Sequence, residues 1–275
     1  FWGAFNKYLK RLIPLAVISG SSQDSKYYFI KGQTKLKMKK SILDFRYMSV
    51  RDDWTQKMIE YITDGDFVPK VTPDPVFAFN NNASHLVPSK EDIIKKFDIP
   101  NDYIILSFKG AKSVSQDWIN ELQKLANTKG LACVKLPYAD APAFGDIQYS
   151  VGDIVTPLEW YALIKHSKGY IGNNMHPIVT SITNGVPFFS FDNYGIPMID
   201  GKQTNGESSK IYHILKQADL LDNRIYTCCK DYSPIEPKEV LNKIINFDVL
   251  KEKTFADRYY KQYEKMMIDV FKSIK

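Results

Sequence analysis

Cysteine and histidine are scarce in this chain, which has three cysteines and four histidines among 275 residues. Cys228 and Cys229 are adjacent, a poor geometry for a structural disulfide. No pair of cysteines or histidines has the spacing of zinc ligands. The sequence therefore argues against a disulfide scaffold, and we expect a reducing compartment, no structural metal and no cofactor.

Long apolar runs are also missing. The longest, such as residues 12–20, have the length of a strand, whereas a helix that crosses a bilayer needs roughly 20 apolar residues. We therefore expect no transmembrane segment. Because the first residue is Phe1 rather than Met, we expect the true start of the protein to lie upstream, and a removed signal peptide stays an open alternative.

Positive charge exceeds negative charge only modestly, with a net charge of +6. One cluster of lysines is interleaved with apolar residues, and it consists of Lys35, Lys37, Lys39 and Lys40. This pattern favours a solvated helix face, and attraction to an anionic substrate or membrane surface is the alternative. Since no basic stripe carries regularly interleaved aromatic residues, we expect no nucleic-acid partner.

Apolar runs of strand length alternate with amphipathic helical stretches. The predicted buried strands are residues 15–19, 45–50, 103–108, 131–136, 169–172 and 187–191. Helical spacing follows at residues 52–62 and 115–127. Strand, helix and strand in repetition are typical of a parallel sheet with helices on both faces, so the predicted fold class is α/β.

Turn-forming residues between 72 and 90 indicate a domain boundary. We predict two doubly wound, Rossmann-like domains. Residues 1–85 are the remainder of an N-terminal domain that lacks its opening βα units, and residues 86–250 form the C-terminal domain. Residues 251–275 are predicted to form a helix that crosses back to the first domain.

The most informative segment is residues 153–195. It begins with a helix capped at Thr156 by a capping box and continues with a strand at 169–172, a polar turn, and a helix that ends at Asn184 and Gly185. His176 closes the turn, at the carboxyl end of a strand and the amino end of a helix, where open α/β sheets bind ligands. The helix end attracts phosphate or carboxylate, and an imidazole there exchanges protons near neutral pH. A packed or capping histidine is the alternative.

The order of these pieces resembles the polysaccharide pyruvyl transferase family. The order is helix, strand, x-x-x-Met-His, helix, Gly-Val-Pro-Phe, strand and Asp-Asn-Tyr-Gly. Met48-Ser49-Val50-Arg51-Asp52 is similar to the strand-end Val-Arg-Asp element of that family, and residues 71–76 are similar to its following Asp-Pro segment. The resemblance covers roughly residues 45–220.

The resemblance implies a fold and a reaction. Members resemble two-domain glycosyltransferases of the B type, with the site in the cleft between the domains. They move a pyruvyl group from phosphoenolpyruvate onto a saccharide as a ketal. The resemblance therefore implies a cytoplasmic enzyme of cell-surface polysaccharide synthesis, active on an acceptor that could be lipid-linked and placed in solution or at the inner face of the membrane.

The resemblance also implies site residues. His176 matches the catalytic histidine, and Arg51 matches an arginine that would hold the carboxylate or phosphate of the donor by a two-pronged contact. An ion pair of Arg51 with Asp52 or Asp53 is the alternative. The other predicted substrate-binding residues are Asn173, Asn174, Met175, Lys109, Tyr194 and Lys210. The sequence favours a surface lysine at Lys210, and no family motif covers Lys109.

One position departs from the family pattern. Many members carry arginine two residues before the histidine, where this chain has Asn174. An asparagine can donate a hydrogen bond but cannot neutralise a phosphate. Another cation could substitute, with Lys109 and Lys210 available, or the donor could differ. Two other functions therefore stay open, a nucleotide-sugar-dependent glycosyltransferase and a catalytically inactive binding relative.

Overall fold

The computed structural model describes residues 12–110, 112–138, 142–152 and 154–275. By internal packing the chain divides into two compact units. Among the described residues, the first unit contains 12–78, Tyr194–Ile214 and Asp257–Lys275, and the second contains Phe79–Asn193 and Leu215–Ala256. The domain limits predicted from the sequence differ from this division and stay a prediction. Residues 1–11 and Asp153, which those predictions include, lie outside the described residues.

The strands, in chain order, are β1 (Ala16–Gly20), β2 (Tyr47–Val50), β3 (Lys70–Val71), β4 (Tyr103–Ser107), β5 (Ala132–Lys135), β6 (Tyr149–Ser150), β7 (Gly169–Gly172), β8 (Phe188–Asp192), β9 (Met198–Ile199), β10 (Lys202–Gln203) and β11 (Arg224–Tyr226). Every strand predicted from the sequence is present, and its ends lie within two residues of the prediction. Strands β3, β6, β9, β10 and β11 were not predicted.

The α-helices are α1 (Gly32–Leu43), α2 (Asp53–Thr63), α3 (Phe79–Ala83), α4 (Lys90–Phe97), α5 (Gln116–Asn127), α6 (Pro157–Lys165), α7 (Met175–Asn184), α8 (Lys210–Ala218), α9 (Pro237–Ile245) and α10 (Val249–Ile274). Their starts follow the sequence signals. Thr156 forms the predicted capping box with Glu159, and Pro157 takes the first turn of α6. The lysine cluster at residues 35–40 lies on α1, as the helical interpretation predicts.

The first unit is built on a parallel sheet with the strand order β1-β2-β3. Helix α2 follows β2 directly because Asp52 caps it, accepting a hydrogen bond of 2.7 Å from the main-chain N–H of Thr55. The core of this unit consists of Ile42, Met48, Val50, Met58, Ile59 and Ile62. The carboxyl ends of its strands therefore present Ser21, Arg51 and Thr72 at one edge of the sheet.

The second unit is built on a six-stranded parallel sheet with the order β11-β8-β7-β4-β5-β6. The chain runs outward from β4 through β5 to β6, and then restarts on the other side of β4 with β7. The strand order therefore reverses between β4 and β7, the topological switch point at which open α/β sheets bind ligands. Buried aromatic residues fill the core beneath it, among them Phe108, Trp118 and Phe191.

Candidate functional site

The turn that follows β7 is fixed by a close packing contact at Gly172. A Cβ atom at this position would lie 2.2 Å from the carbonyl oxygen of Ser107 and 2.3 Å from the hydroxyl of Tyr170. Since neither distance is tolerated, only glycine lets β7 pass so close to β4. The next two main-chain N–H groups donate within the same unit, that of Asn173 to the carbonyl oxygen of Ser107 at 3.2 Å and that of Asn174 to the Tyr170 hydroxyl at 3.3 Å.

Asn174 has a structural task in this turn. It is the N-cap of α7, and its side-chain oxygen accepts a hydrogen bond of 3.3 Å from the main-chain N–H of His176. Asparagine is among the best N-cap residues, whereas arginine carries no acceptor and cannot cap in this way. The cap explains locally why asparagine suits this position, and it leaves the side chain of His176 exposed on the first turn of the helix.

Two other predicted residues of the turn are buried. Asn173 is 1% exposed, and its carboxamide oxygen accepts hydrogen bonds from the main-chain N–H of Lys109 at 3.1 Å and from the hydroxyl of Tyr138. Met175 is 2% exposed and packs into the core. These side chains therefore position the turn, and substrate binding by their main-chain groups stays a prediction.

Lys109 lies beside this turn. It follows β4, whose last residue pairs with Gly172 of β7, and its ammonium lies 5.7 Å from the centre of the Tyr138 ring. The second unit thus brings Lys109 and the 173–176 turn together at its topological switch point. An exposed imidazole at a helix amino end, next to a lysine, can exchange a proton with a bound anion or hydroxyl.

Arg51 lies at the carboxyl end of β2 in the first unit. Its Nη1 forms an ion pair with Asp74, so the pairing with Asp52 or Asp53 considered from the sequence is wrong. Its Nε is buried and has no hydrogen-bond partner among the described residues. Asp52 is instead occupied by its helix cap and by the hydroxyl of Ser21 at 2.8 Å.

Lys210 belongs to the same unit and is buried. It opens α8 and is only 7% exposed, so the surface-lysine interpretation is wrong. Its ammonium lies 5.1 Å from the centre of the Tyr194 ring. Burial lowers the pKa of Lys210, and the charge of Arg51 lowers it further, against the opposing effect of Asp24, Asp52 and Asp74. The structure therefore groups three predicted residues, Arg51, Lys210 and Tyr194, in the first unit.

Two other histidines, His213 and His166, have structural surroundings. His213 is 4% exposed, and its Nδ1 lies 3.3 Å from the main-chain N–H of Asp53. His166 is the last, C-capping residue of α6, and its Nε2 lies 3.1 Å from the carbonyl oxygen of Pro88. Neither imidazole is presented as openly as that of His176.

Sequence reasoning missed a buried ion pair in the second unit. Asp192, the last residue of β8, is fully buried, and one carboxylate oxygen accepts a hydrogen bond of 2.7 Å from Nε of Arg224. The pairing is invisible in the sequence because 32 positions separate the two residues. Its only signal is that a charged residue ends a buried strand.

No group of three or more His, Cys, Asp and Glu side chains among the described residues could hold a metal ion. No described helix combines the length and the apolar character that a bilayer crossing requires.

Comparisons with known proteins agree on fold and family. A model of the polysaccharide pyruvyl transferase family matches residues 5–194. The solved UDP-GlcNAc 2-epimerase from Neisseria meningitidis, bound to UDP-GlcNAc, superposes with a TM-score of 0.55 at 10% identity, covering 95% of this chain and 70% of that one. The UDP-GlcNAc 2-epimerase from Methanocaldococcus jannaschii gives 0.51 at 10% identity, with 88% and 65% covered. No curated protein matches the chain.

At this identity the likeness to the epimerases concerns the fold alone. It confirms the predicted α/β class with Rossmann-like, glycosyltransferase-B-like architecture. The chain spans 65% of the length of the Methanocaldococcus enzyme, which is less than two thirds.

Proposed function

Because the chain belongs to the polysaccharide pyruvyl transferase family, we propose that it transfers a pyruvyl group from phosphoenolpyruvate to a saccharide as a ketal, in the synthesis of a cell-surface polysaccharide. The observation that carries this proposal is the position of His176. It is exposed on the first turn of α7, at the switch point of the larger sheet. A proton-transferring group at a positive helix end suits a donor that is an anion and that must gain a proton to react.

The reaction balances with two sugar hydroxyls and one donor. The enol methylene of phosphoenolpyruvate takes up a proton and becomes a methyl group as the carbon–carbon π bond breaks. Two oxygen–carbon bonds to the sugar then replace that π bond and the bond from the central carbon to the phosphate oxygen. One hydroxyl proton balances the new methyl group and the other leaves on the phosphate. In this proposal His176 delivers or accepts one of these protons.

The test is phosphate release from phosphoenolpyruvate in the presence of a panel of saccharide acceptors. We expect turnover by the wild-type protein, and a loss of about 10² to 10⁴ in rate for His176→Ala. His166→Gln is the matched control, because His166 is the C-cap of a helix in the same unit. This substitution is expected to leave the rate unchanged. Equal rates for wild type and His176→Ala would overturn the assignment of His176.

Donor identity is tested separately by thermal stabilisation. A ligand that binds only the folded state raises the melting temperature, and the rise grows with the logarithm of the ratio of ligand concentration to Kd. We expect stabilisation by phosphoenolpyruvate. Stabilisation by a uridine diphosphate sugar instead would favour a glycosyltransferase, and binding of phosphoenolpyruvate without turnover on any acceptor would favour a binding relative.

We further propose that the protein works at the inner face of a membrane, next to a lipid-linked acceptor. One stripe of α1 supports this proposal: Leu36 and Leu43 are 57% and 48% exposed, and the exposed lysines Lys37 and Lys40 lie between them. Lys35 and Lys39, by contrast, pair with Asp64. A stripe of leucine and unpaired lysine suits an anionic lipid surface.

Sedimentation with vesicles tests the membrane proposal. We expect the protein to bind vesicles that contain phosphatidylglycerol, to bind less in high salt, and to lose binding in the double variant Lys37→Glu, Lys40→Glu. The double variant Lys124→Glu, Lys129→Glu, at two exposed positions on and just after α5, is a control that makes the same charge change elsewhere. Equal binding to neutral vesicles would contradict the proposal.

A further inference from the structure

Lys210 is a largely buried cation, with 7% of its surface exposed. An ammonium group carries three N–H donors, and burying it without hydrogen bonds is unfavourable. Among the described residues, no hydrogen-bond acceptor or ion-pair partner of its Nζ is present, and the ammonium lies 5.1 Å from the centre of the Tyr194 ring. A cation held this way in a protein is expected to have a partner that comes from outside the chain.

The carboxylates near Lys210 are already engaged. Asp24 accepts a hydrogen bond of 3.1 Å from the main-chain N–H of Gly195. Asp52 caps α2, and Asp74 binds Arg51 and the main-chain N–H of Val76 at 3.1 Å. Each therefore has partners of its own, and together they hold the local main chain and Arg51 rather than the ammonium.

Arg51 is held by an ion pair within its own unit. Asp74 pairs with Nη1, and Nε is buried without a hydrogen-bond partner among the described residues. The two-pronged contact implied by the family resemblance stays a prediction, and in this arrangement a ligand would compete with Asp74 for Nη1. What Arg51 contributes is a fixed positive charge close enough to affect Lys210 electrostatically.

Lys210 also stands at the amino end of a helix. It is the first residue of α8, which has nine residues, and the two preceding serines are buried, Ser208 at 3% and Ser209 at 1% exposure. Ser208 accepts a hydrogen bond of 2.7 Å from the main-chain N–H of Ile196, which ties the helix start to the segment after Tyr194. The positive end of the helix thus coincides with the unpaired ammonium.

We propose that Lys210 and the first turn of α8 make the direct contact with an anionic group of the donor, a phosphate or a carboxylate, and that Arg51 is a positioning residue held behind them by Asp74. This inference rests on the proposed function for the identity of the donor.

Calorimetric titration of the full chain with phosphoenolpyruvate, and separately with inorganic phosphate, tests this inference. We expect Lys210→Met to weaken phosphoenolpyruvate binding by about tenfold to a hundredfold, since it removes a charge-assisted hydrogen bond. Lys202→Met, on exposed β10 of the same unit, is the matched control and is expected to bind like the wild type. Arg51→Lys is expected to change affinity less than Lys210→Met.

A pH series distinguishes a direct ionic contact from a packing role. Since burial lowers the pKa of Lys210, wild-type affinity for phosphoenolpyruvate should fall at alkaline pH, below the range in which an ordinary lysine loses its proton. Lys210→Arg, which stays charged, should bind without that decline. The inference would be overturned if Lys210→Met bound phosphoenolpyruvate as tightly as the wild type does. It would also be overturned if Arg51→Lys lost more affinity for phosphoenolpyruvate than Lys210→Met.

The two proposals can fail separately. If the wild-type protein turns over phosphoenolpyruvate and Lys210→Met has an unchanged KM, the assignment of Lys210 is wrong and the proposed function stands. If the wild-type protein binds phosphoenolpyruvate through Lys210 but releases no phosphate with any acceptor, the anion site stands and the proposed reaction is wrong. If neither anion binds the wild-type protein, the anion site is wrong.

Discussion

Two buried cations of this protein, Arg224 and Lys210, have opposite surroundings. The side chain of Arg224 is 3% exposed and donates from Nε to a fully buried carboxylate, that of Asp192, at 2.7 Å. Lys210 is 7% exposed, and no acceptor for its ammonium lies among the described residues. Both arrangements reflect the unfavourable free energy of removing a charged group from water, because such a charge needs a partner. Arg224 has that partner within the fold, whereas we assign the partner of Lys210 to the ligand.

The difference separates structural charge from functional charge. A buried pair that is complete within the fold contributes to stability as long as both members are present, and removal of one leaves the other uncompensated. An incomplete buried charge lowers stability and is retained where function requires it. Removal of the carboxylate that pairs with Arg224 should therefore lower the free energy of unfolding, whereas removal of the charge of Lys210 should raise it.

The largest effect is expected for Asp192→Ala. It leaves the Arg224 guanidinium buried without its carboxylate, and we expect the free energy of unfolding to fall by about 3 to 5 kcal/mol. Chemical denaturation measures the change. Asp269→Ala, which removes an exposed ion pair with Lys70, is the control and should have a much smaller effect. A loss of stability no larger than that of the control would show that the ion pair of Asp192 and Arg224 does not stabilise the fold.

Glu252 extends the comparison to a buried acid. It is fully buried, neither carboxyl oxygen has a hydrogen-bond partner among the described residues, and burial raises its pKa to about 9. Because the pKa in the folded state exceeds the ordinary value of 4.5, the contribution of this group to stability is complete below about pH 4.5 and is lost as the pH rises toward 9. Glu252→Gln should therefore be more stable than the wild type by about 3 kcal/mol at pH 7.

Unfolding of both proteins between pH 4 and pH 9 checks this expectation. The difference should disappear near pH 4, where Glu252 is protonated in both the folded and the unfolded states. A difference that does not depend on pH would contradict the assignment of a neutral buried acid.

Lys210→Met should raise stability. The substitution removes a desolvated charge without a partner and keeps most of the side-chain volume, so we expect a gain of about 0.5 to 2 kcal/mol in the free energy of unfolding. Denaturation without ligand measures the gain, and saturating phosphoenolpyruvate should then stabilise the wild type more than the variant. Destabilisation of the ligand-free variant would indicate that Lys210 has a structural partner, like Arg224.

The smallest effect is expected at the cap of α7. Asn174→Ala removes the acceptor for the main-chain N–H of His176 and should cost about 1 kcal/mol. Asn174→Ser, which can still cap the helix, is the control and should lose less. Equal stability of the alanine variant and the wild type would show that the cap is not the reason for asparagine here.

Much of the fold could be predicted from the sequence because its strands are buried on both faces. Strands β4, β7 and β8 read as continuous apolar runs, and Thr156 and Asp52 mark helix starts by their side chains. Strands β3 and β6 have two residues each, too few to produce any periodicity. They exist only because a neighbouring strand supplies the hydrogen bonds.

The candidate site was less predictable, because burial and pairing depend on residues far apart in the chain. His176 and Arg51 could be placed at strand ends from local pattern alone, and the structure finds them there. The sequence could not show that Lys210 is buried or that Arg51 pairs with Asp74, since both depend on how separate segments pack. It also could not show that Asn173 and Met175 lie beneath the surface.

The most direct test is a crystal structure of the protein with phosphoenolpyruvate bound. We expect one anionic group of the donor to lie about 3 Å from Nζ of Lys210, while Arg51 remains paired with Asp74. Donor bound with the ammonium of Lys210 still lacking an acceptor, or with Arg51 released from Asp74 to bind it in two-pronged fashion, would contradict the account.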